Sequence, residues 1–133
     1  MSGAPLLEFS GVHAHYGPVE ALKDVNVHIF KGEIVSLIGA NGAGKTTLLS
    51  SIFGAPRASS GRILHKGEDI SRVPTNRISR RGIALVPEGR QIYQEMSVEE
   101  NMMMGTTPIG MTHFEEDRAT LFDLFPRLKE RRN

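Results

Sequence analysis

The sequence predicts a mixed α/β fold, in which strands and helices pack around a common core. Three observations support this: strand-like patterns fill the first half, a glycine-rich loop joins an apolar segment to a helix, and helical patterns fill the last third. The chain has 133 residues, which is enough for one domain with one hydrophobic core.

The first strands are predicted from alternating apolar and polar residues. Residues 6–12 alternate in part and residues 25–29 alternate cleanly, as expected of strands with one buried face. After a turn at residues 31–32, residues 33–38 are mostly apolar and branched. This composition predicts a strand that is buried on both faces.

The middle of the chain predicts short elements separated by glycines. A helix is expected over residues 46–53, ended by Gly54 in the left-handed conformation. Residues 57–61 predict a loop, and residues 62–65 a short strand that turns at residues 66–67.

Later elements are predicted from capping residues and apolar runs. Thr75 is expected to cap a brief helix that ends at Gly82, and residues 83–86 predict a second buried strand, ended by Pro87. Two pairs have the spacing of a capping box: Ser97 with Glu100, and Thr112 with Glu115. They predict helices that begin at residues 98 and 113.

Composition excludes several classes of function. The net charge of +1 implies no broad attraction to nucleic acid. The chain has no cysteine, which rules out disulfides, thiolate catalysis and cysteine–zinc sites, and the spacing of its histidines does not predict a metal site. The N-terminus lacks a signal-peptide pattern, and no apolar stretch reaches the roughly 20 residues of a membrane span. We therefore expect no nucleic-acid partner and no direct membrane insertion.

The glycine-rich loop carries the strongest functional signal. It satisfies the phosphate-binding pattern G-x-x-x-x-G-K-[ST] through Gly39, Ala40, Asn41, Gly42, Ala43, Gly44, Lys45 and Thr46. Glycines let the backbone turn its N–H groups toward a triphosphate, and the following helix adds the positive end of its dipole. Lys45 supplies a positive charge for the β- and γ-phosphates, and Thr46 a hydroxyl for Mg²⁺.

The same loop, extended to Thr47, resembles the Walker A loop of ABC-transporter ATPases, where N-G-A-G-K-T-T is a habitual form. The resemblance implies that Thr47 contacts the α-phosphate. Upstream, His15-Tyr16-Gly17 followed by Ala-Leu-Lys-Asp-Val at residues 21–25 is similar to the first strand pair of that family. The resemblance implies that Tyr16 stacks on adenine.

Downstream segments extend the resemblance over nearly the whole chain. Residues 59–63 are similar to the family's S-G-x-I strand entry, and residues 97–101 to its T-V-x-E-N helix start. Glu88 stands where most members have a glutamine, in the loop that senses Mg²⁺ and the γ-phosphate. The sequence P-E-G-R at residues 87–90, like residues 125–132, resembles one ATPase of branched-chain amino-acid importers.

This resemblance implies a truncated P-loop core with an N-terminal antiparallel β-subdomain, about 1–95, and the start of a helical subdomain, about 96–133. The expected cofactors are ATP and Mg²⁺, with Thr46 and Glu88 as metal ligands. The expected partners are a second ATP-binding subunit, in a homo- or heterodimer, and transmembrane permease subunits, on the cytoplasmic face of the membrane. Because the signature motif, Walker B and switch histidine are missing, we do not expect hydrolysis by this chain alone.

Several alternatives remain open from the sequence. Residues 83–88 form an apolar run followed by an acid, a crude Walker B, although Pro87 and the P-E-G-R match argue against it. Another P-loop enzyme, such as a nucleotide kinase or GTPase, fits less well because no N-K-x-D motif is present and strands precede the loop. A remnant that binds only nucleotide or a partner is the third alternative. Residues 102–104 are three methionines that either fill a core or contact membrane subunits.

Overall fold

The structure is a computed structural model that describes residues 3–132. The chain divides into two units, residues 1–81 and residues 82–133. In the described part, no helix is both long and apolar enough to cross a membrane.

The first unit is built on a four-stranded antiparallel sheet in the order β2-β1-β3-β4. Its strands are β1 (Leu7–Tyr16), β2 (Val19–Ile29), β3 (Ala58–His65) and β4 (Glu68–Asp69). Its helices are α1 (Lys45–Ser51) and α2 (Thr75–Ser79). The strands predicted over residues 6–12, 25–29 and 62–65 are confirmed, and each is longer than its sequence pattern indicates.

One face of β1 supplies the core of this unit. Phe9, Val12 and Ala14 are buried, and Ile63 of the neighbouring strand β3 is buried with them. Burying branched and aromatic side chains on one face of a sheet is the main stabilising contribution such a unit has. The opposite face of β1 is more exposed and carries the polar positions of the alternation.

The loop predicted over residues 57–61 is wrong, because β3 already begins at Ala58. Gly61 makes this pairing possible. It has a positive φ of 76°, and a Cβ added there would lie 2.1 Å from the Gly11 carbonyl oxygen. The two backbones therefore touch at an irregular point of the β1–β3 ladder, where the register shifts between Ser10 and His13. The small residues that suggested a loop instead allow a close approach of two strands.

The strand predicted over residues 33–38 is also wrong. No strand forms there, and Ile34 and Ile38 are 99% and 96% exposed. Residues 83–86 of the second unit likewise form no strand, and Val86 is 92% exposed. A strand exists only through hydrogen bonds to a neighbouring strand, and neither segment has such a neighbour within the described residues.

The helices of the first unit follow the sequence with one correction. Helix α1 begins one residue before the predicted start, and Gly54 adopts a φ of 76° after it. Thr75 does not cap α2: Pro74 occupies the cap position, and the Thr75 hydroxyl donates to the Phe53 carbonyl at 2.7 Å. The side chain thus ties α2 to the end of α1, which sequence spacing alone does not reveal.

The second unit consists of α3 (Val98–Met104), α4 (Phe114–Leu124) and α5 (Pro126–Glu130). The predicted capping box of Ser97 and Glu100 is confirmed, with both reciprocal hydrogen bonds formed. The second predicted box, at Thr112 and Glu115, is wrong. His113 occupies the cap position of α4 without a side-chain bond, and Glu115 pairs with Arg118 instead. An available arginine one turn along the helix competes for the same carboxylate.

The core of the second unit is small. Phe114 and Phe122 of α4 are buried, and Arg118 lies 5.7 Å from the centre of the Phe114 ring while it pairs with Glu99. Helix α3 has no buried residue. Met103 and Met104 are exposed, so the core-filling interpretation of these two methionines is wrong.

We predict that Gly61→Ala lowers the free energy of unfolding of the first unit by more than about 3 kcal/mol, since the new methyl group would overlap the Gly11 carbonyl. Gly67→Ala is the matched control, because Gly67 has a similar φ of 79° but open space around a Cβ. Its expected cost is about 1–2 kcal/mol from the left-handed backbone alone. Hydrogen exchange of the β1 amides measures both, and equal protection in the two variants would contradict the proposed clash.

We predict that Ser97→Ala destabilises α3 by about 1 kcal/mol, because the Glu100 N–H loses its acceptor at the helix start. The measurement is amide hydrogen exchange of α3, which should accelerate roughly fivefold. Thr112→Ala serves as the control, since Thr112 caps no helix. If Thr112→Ala accelerated exchange in α4 as much as Ser97→Ala accelerates it in α3, the result would contradict this prediction.

Candidate functional site

The glycine-rich loop leads directly into α1, which begins at Lys45. Gly42 and Gly44 have φ values of 83° and 89°, a region that residues with a Cβ seldom adopt. The loop is closed by a hydrogen bond from Ala43 N to the Ala40 carbonyl at 3.1 Å. The glycines therefore provide the tight backbone turn that the sequence pattern requires.

Gly44 also fixes the loop against strand β2. A Cβ added to Gly44 would lie 2.7 Å from the Ala21 carbonyl oxygen and 3.3 Å from Leu22. A Cβ on Gly42 would meet no atom within 4 Å. One glycine thus allows the loop to contact the sheet, and the other leaves space open on the exposed side of the loop.

The Lys45 side chain folds back over the loop. Its Nζ donates to the Gly39 carbonyl at 2.6 Å and to the Ala40 carbonyl at 2.7 Å. These short bonds are typical of a charged donor. The ammonium group is held among backbone atoms of the loop, which fixes the place of its positive charge.

The two threonines after Lys45 differ in accessibility. Thr46 is exposed, so its hydroxyl is available to a ligand. Thr47 is buried, with 9% of its surface exposed, and packs at the start of α1. Its contact with the α-phosphate stays a prediction.

Tyr16 ends β1 on the same strand pair that contacts the loop. It is paired with Val19 across a two-residue turn, and its side chain is 53% exposed. Ala21, whose carbonyl faces Gly44, lies two residues beyond Val19 on β2. The first unit therefore brings Tyr16 and the glycine-rich loop to the same end of the β1–β2 pair.

Glu88 belongs to the second unit and lies on an exposed bend. Gly89 after it has a φ of 89°, and Arg90 has a φ of 48°, which is unusual for a residue with a side chain. The bend projects a free carboxylate from a short, constrained turn. Its part in a metal site stays a prediction.

Sequence analysis missed a polar cluster on the exposed face of the sheet beside Tyr16. His13 Nδ1 donates to Glu20 Oε1 at 2.6 Å, and His15 Nε2 lies 3.9 Å from the same oxygen. Ser59 Oγ lies 3.0 Å from His15 Nδ1 and donates to the His13 carbonyl at 3.2 Å. The available signal was the His-x-His spacing, which places two imidazoles on one face of a strand. The described residues contain no group of three or more side chains that could hold a metal ion.

The second unit has an apolar cavity of about 350 Å³ close to the segment after Glu88. Its lining includes Ile92, Tyr93, Met96, Asn101, Met102 and Leu128. The Asn101 amide orders this region, because it accepts from Tyr93 N at 2.8 Å and donates to the carbonyls of Tyr93 and Ser97. The chain after the Glu88 bend is therefore fastened to α3.

A sequence model of the family described as "ABC transporter" matches residues 22–132. The chain belongs to this family. The match confirms the family recognised from the Walker A loop and its neighbouring segments, and it decides against a nucleotide kinase or a GTPase. Proteins of this ABC family bind ATP, and their ATP-binding subunits work as dimers with transmembrane permease components.

Relatives and solved structures agree with the assignment. The chain is 47% identical over 126 residues to the high-affinity branched-chain amino acid transport ATP-binding protein BraG of Pseudomonas aeruginosa, covering 95% of this chain and 54% of the relative. It is 35% identical over 117 residues to the galactose/methyl galactoside import ATP-binding protein MglA of Escherichia coli O157:H7, covering 88% of this chain and 23% of that protein.

Among solved structures, the ATP-binding subunit of an ABC transporter superposes with a TM-score of 0.81 at 32% identity, covering 96% of this chain and 52% of that one. The predicted ABC ATPase fold is thereby confirmed for the part of that structure that this chain covers. The chain spans about half the length of BraG.

Proposed function

We propose that this chain binds Mg-ATP as the first part of an ATP-binding subunit of an ABC importer, with branched-chain amino acids as the transported solute. The observation that carries the proposal is the position of Lys45, whose ammonium lies 2.6 Å and 2.7 Å from the carbonyls of Gly39 and Ala40. A lysine held over a glycine loop is the arrangement that binds a triphosphate.

The residues of the loop fit a phosphate chain. Gly42 leaves open space where a Cβ would otherwise stand, and the loop's residues 39–43 are all exposed. Two backbone carbonyls accept hydrogen bonds from the Lys45 ammonium. A phosphate oxygen carries more negative charge than a carbonyl, so it would take over the ammonium without a large movement of the side chain. Residues 39–47 would then hold the triphosphate through backbone N–H groups, Lys45 and the two threonines.

Further residues fit the base of the nucleotide and the magnesium ion. Tyr16 offers an exposed ring at the end of the strand pair that contacts Gly44, and stacking of a base on a tyrosine contributes about 1–3 kcal/mol. Thr46 and Glu88 offer a hydroxyl and a carboxylate, which are ligands that Mg²⁺ prefers. The ion, when bound, neutralises phosphate charge. We propose Glu88 as a ligand either directly or through water.

We propose that residues 1–133 form the first part of one ATP-binding domain. In this proposal about 1–95 comprise the β-subdomain and P-loop core, and about 96–133 start the helical subdomain. Binding of Mg-ATP is the activity that we propose for residues 39–47 together with Tyr16.

The solute and the partners are inferred from the relatives and from one surface. Identity to the branched-chain relative is 47%, against 35% to the galactose relative, which favours amino acids. The apolar cavity near Met96 and Met102 supports a contact with the permease subunits, since flexible methionines adapt to partner surfaces. We propose a second ATP-binding subunit as the other partner and the cytoplasmic face of the membrane as the location.

We predict that Lys45→Ala abolishes saturable binding of a fluorescent ATP analogue in the presence of Mg²⁺, because the charge held at the loop is lost. Equilibrium titration of the purified chain is the measurement. Lys31→Ala is the control, since it removes an exposed lysine from the turn before the loop and should leave binding unchanged. Equal affinities for wild type and Lys45→Ala would contradict the proposed phosphate site.

We predict that Glu88→Gln reduces the dependence of ATP affinity on Mg²⁺, because a neutral amide neither repels the γ-phosphate nor binds the ion as strongly as a carboxylate. ATP titrations at a series of Mg²⁺ concentrations measure this. Glu95→Gln, which changes another exposed acid in the same unit, should follow the wild type. An unchanged Mg²⁺ dependence in Glu88→Gln would exclude Glu88 as a ligand.

A further inference from the structure

The polar cluster on the exposed face of β1 lies directly behind the proposed adenine site. His15 precedes Tyr16 on the strand, and His15 is paired in register with Glu20 of β2. Successive side chains of a strand point to opposite faces, so the cluster and the Tyr16 ring lie on opposite faces of one strand pair. The cluster can therefore act on Tyr16 only through the backbone between them.

The strand pair is irregular at this point. Ala14 is paired with Leu22 and His15 with Glu20, which leaves Ala21 as an extra residue on β2. This bulge aims the Ala21 carbonyl at Gly44 of the glycine-rich loop. The 2.6 Å contact from His13 to Glu20 crosses the bulge diagonally, so it joins the two strands on either side of the extra residue.

We propose that His13, His15 and Glu20 are positioning residues for the base end of the nucleotide site. Their contacts hold the bulge at Ala21 and thereby set the place of Tyr16 relative to the glycine-rich loop. This inference rests on the proposed binding of ATP by residues 39–47 and Tyr16. It predicts that the cluster affects affinity for the adenosine part of ATP and leaves affinity for the phosphate chain unchanged.

The hydrogen bonds of the cluster determine how it responds to protons. Because the Ser59 hydroxyl donates to the His13 carbonyl, its oxygen accepts from His15 Nδ1, and a further proton on His15 must bind Nε2. That nitrogen faces Glu20 Oε1 at 3.9 Å. A proton added to His15 therefore creates a positive charge beside the carboxylate and strengthens the link between β1 and β2.

The carboxyl group of Glu20 has a lowered pKa, which favours its ionised form. The hydrogen bond from His13 lowers the pKa of the Glu20 carboxyl, and the charges of His13, His15 and Lys23 act in the same direction. A carboxylate with a lowered pKa loses its contribution only as pH falls through that lowered value. Histidine is the side chain type that ordinarily changes charge between about pH 5 and 8, so pH 6 and pH 8 are the two conditions compared.

The test compares ATP with inorganic tripolyphosphate, which lacks the base and the ribose, as competitors of a fluorescent ATP analogue at pH 6 and pH 8. In the wild type we expect the preference for ATP over tripolyphosphate to be about two- to fivefold larger at pH 6. In Glu20→Gln this pH response should disappear, while affinity for tripolyphosphate stays as in the wild type. An equal pH response in Glu20→Gln and wild type would overturn the inference.

Glu8→Gln is the matched control. Glu8 pairs with His28 at the far end of the same two strands at 3.5 Å, and its side chain is 27% exposed, against 35% for Glu20. The Glu8→Gln variant should retain the pH response. Protonation of the ligand phosphates affects wild type and both variants equally, so it does not contribute to the differences between these proteins. Loss of the response in Glu8→Gln as well would assign the effect to general sheet stability and overturn the inference.

A readout without ligand separates this inference from the proposed function. NMR resonances of the Tyr16 ring should shift between pH 6 and pH 8 in the wild type and in Glu8→Gln, and should remain constant in Glu20→Gln. Constant Tyr16 resonances in the wild type would overturn the inference even if ATP binds. Absence of Lys45-dependent binding of both competitors, with Tyr16 still responding, would overturn the nucleotide site and keep the cluster as a positioning device for Tyr16.

Discussion

The pairing of β1 with β2 on one side and β3 on the other is the interaction on which the first unit depends. It buries Phe9, Val12 and Ala14 on one face. It also brings the N-terminal part of β2 against the glycine-rich loop. Backbone contact through glycine occurs twice along these strands, where Gly61 meets Gly11 and where Gly44 meets Ala21. At both places the two backbones approach so closely that any side chain would displace one of them. The geometry of the sheet and the position of the glycine-rich loop thus both depend on close backbone approaches at glycines.

The parts of the site that sequence predicted are those whose conformation depends on neighbouring residues. The turn of the glycine-rich loop, the start of α1 and the capping box at Ser97 all require only local residue types. Apart from Glu115, whose partner Arg118 lies three residues along the same helix, the failures involve partners distant in sequence. Residues 33–38 have the composition of a buried strand, but composition cannot provide the neighbour that would pair with them. Thr75 and Glu115 form other interactions in place of the helix caps that their spacing predicts: Thr75 donates to a distant carbonyl, and Glu115 forms an ion pair.

The proposed nucleotide site joins contributions of different physical kinds. The phosphate part relies on backbone geometry and one positive charge, and it is contained within a short stretch of chain. The base part relies on the exposed ring of Tyr16, whose location depends on three strands and on side chains behind it, including Ser59 of β3. Sequence motifs therefore describe the phosphate part well and the base part poorly. His13, His15 and Glu20 became recognisable only when strand register placed them together.

The extended segment at residues 33–38 has a consequence for the behaviour of the chain at high concentration. Ile34, Val35, Leu37 and Ile38 are exposed, and the window contains neither proline nor any charge after Glu33. Such windows are prone to intermolecular strand addition and aggregation. Charged residues, which oppose aggregation, flank this segment only on its N-terminal side, at Lys31 and Glu33. Residues 39–41 on its C-terminal side carry no charge. The residues that lead into the glycine-rich loop are thus also those through which copies of this chain would associate as it is concentrated.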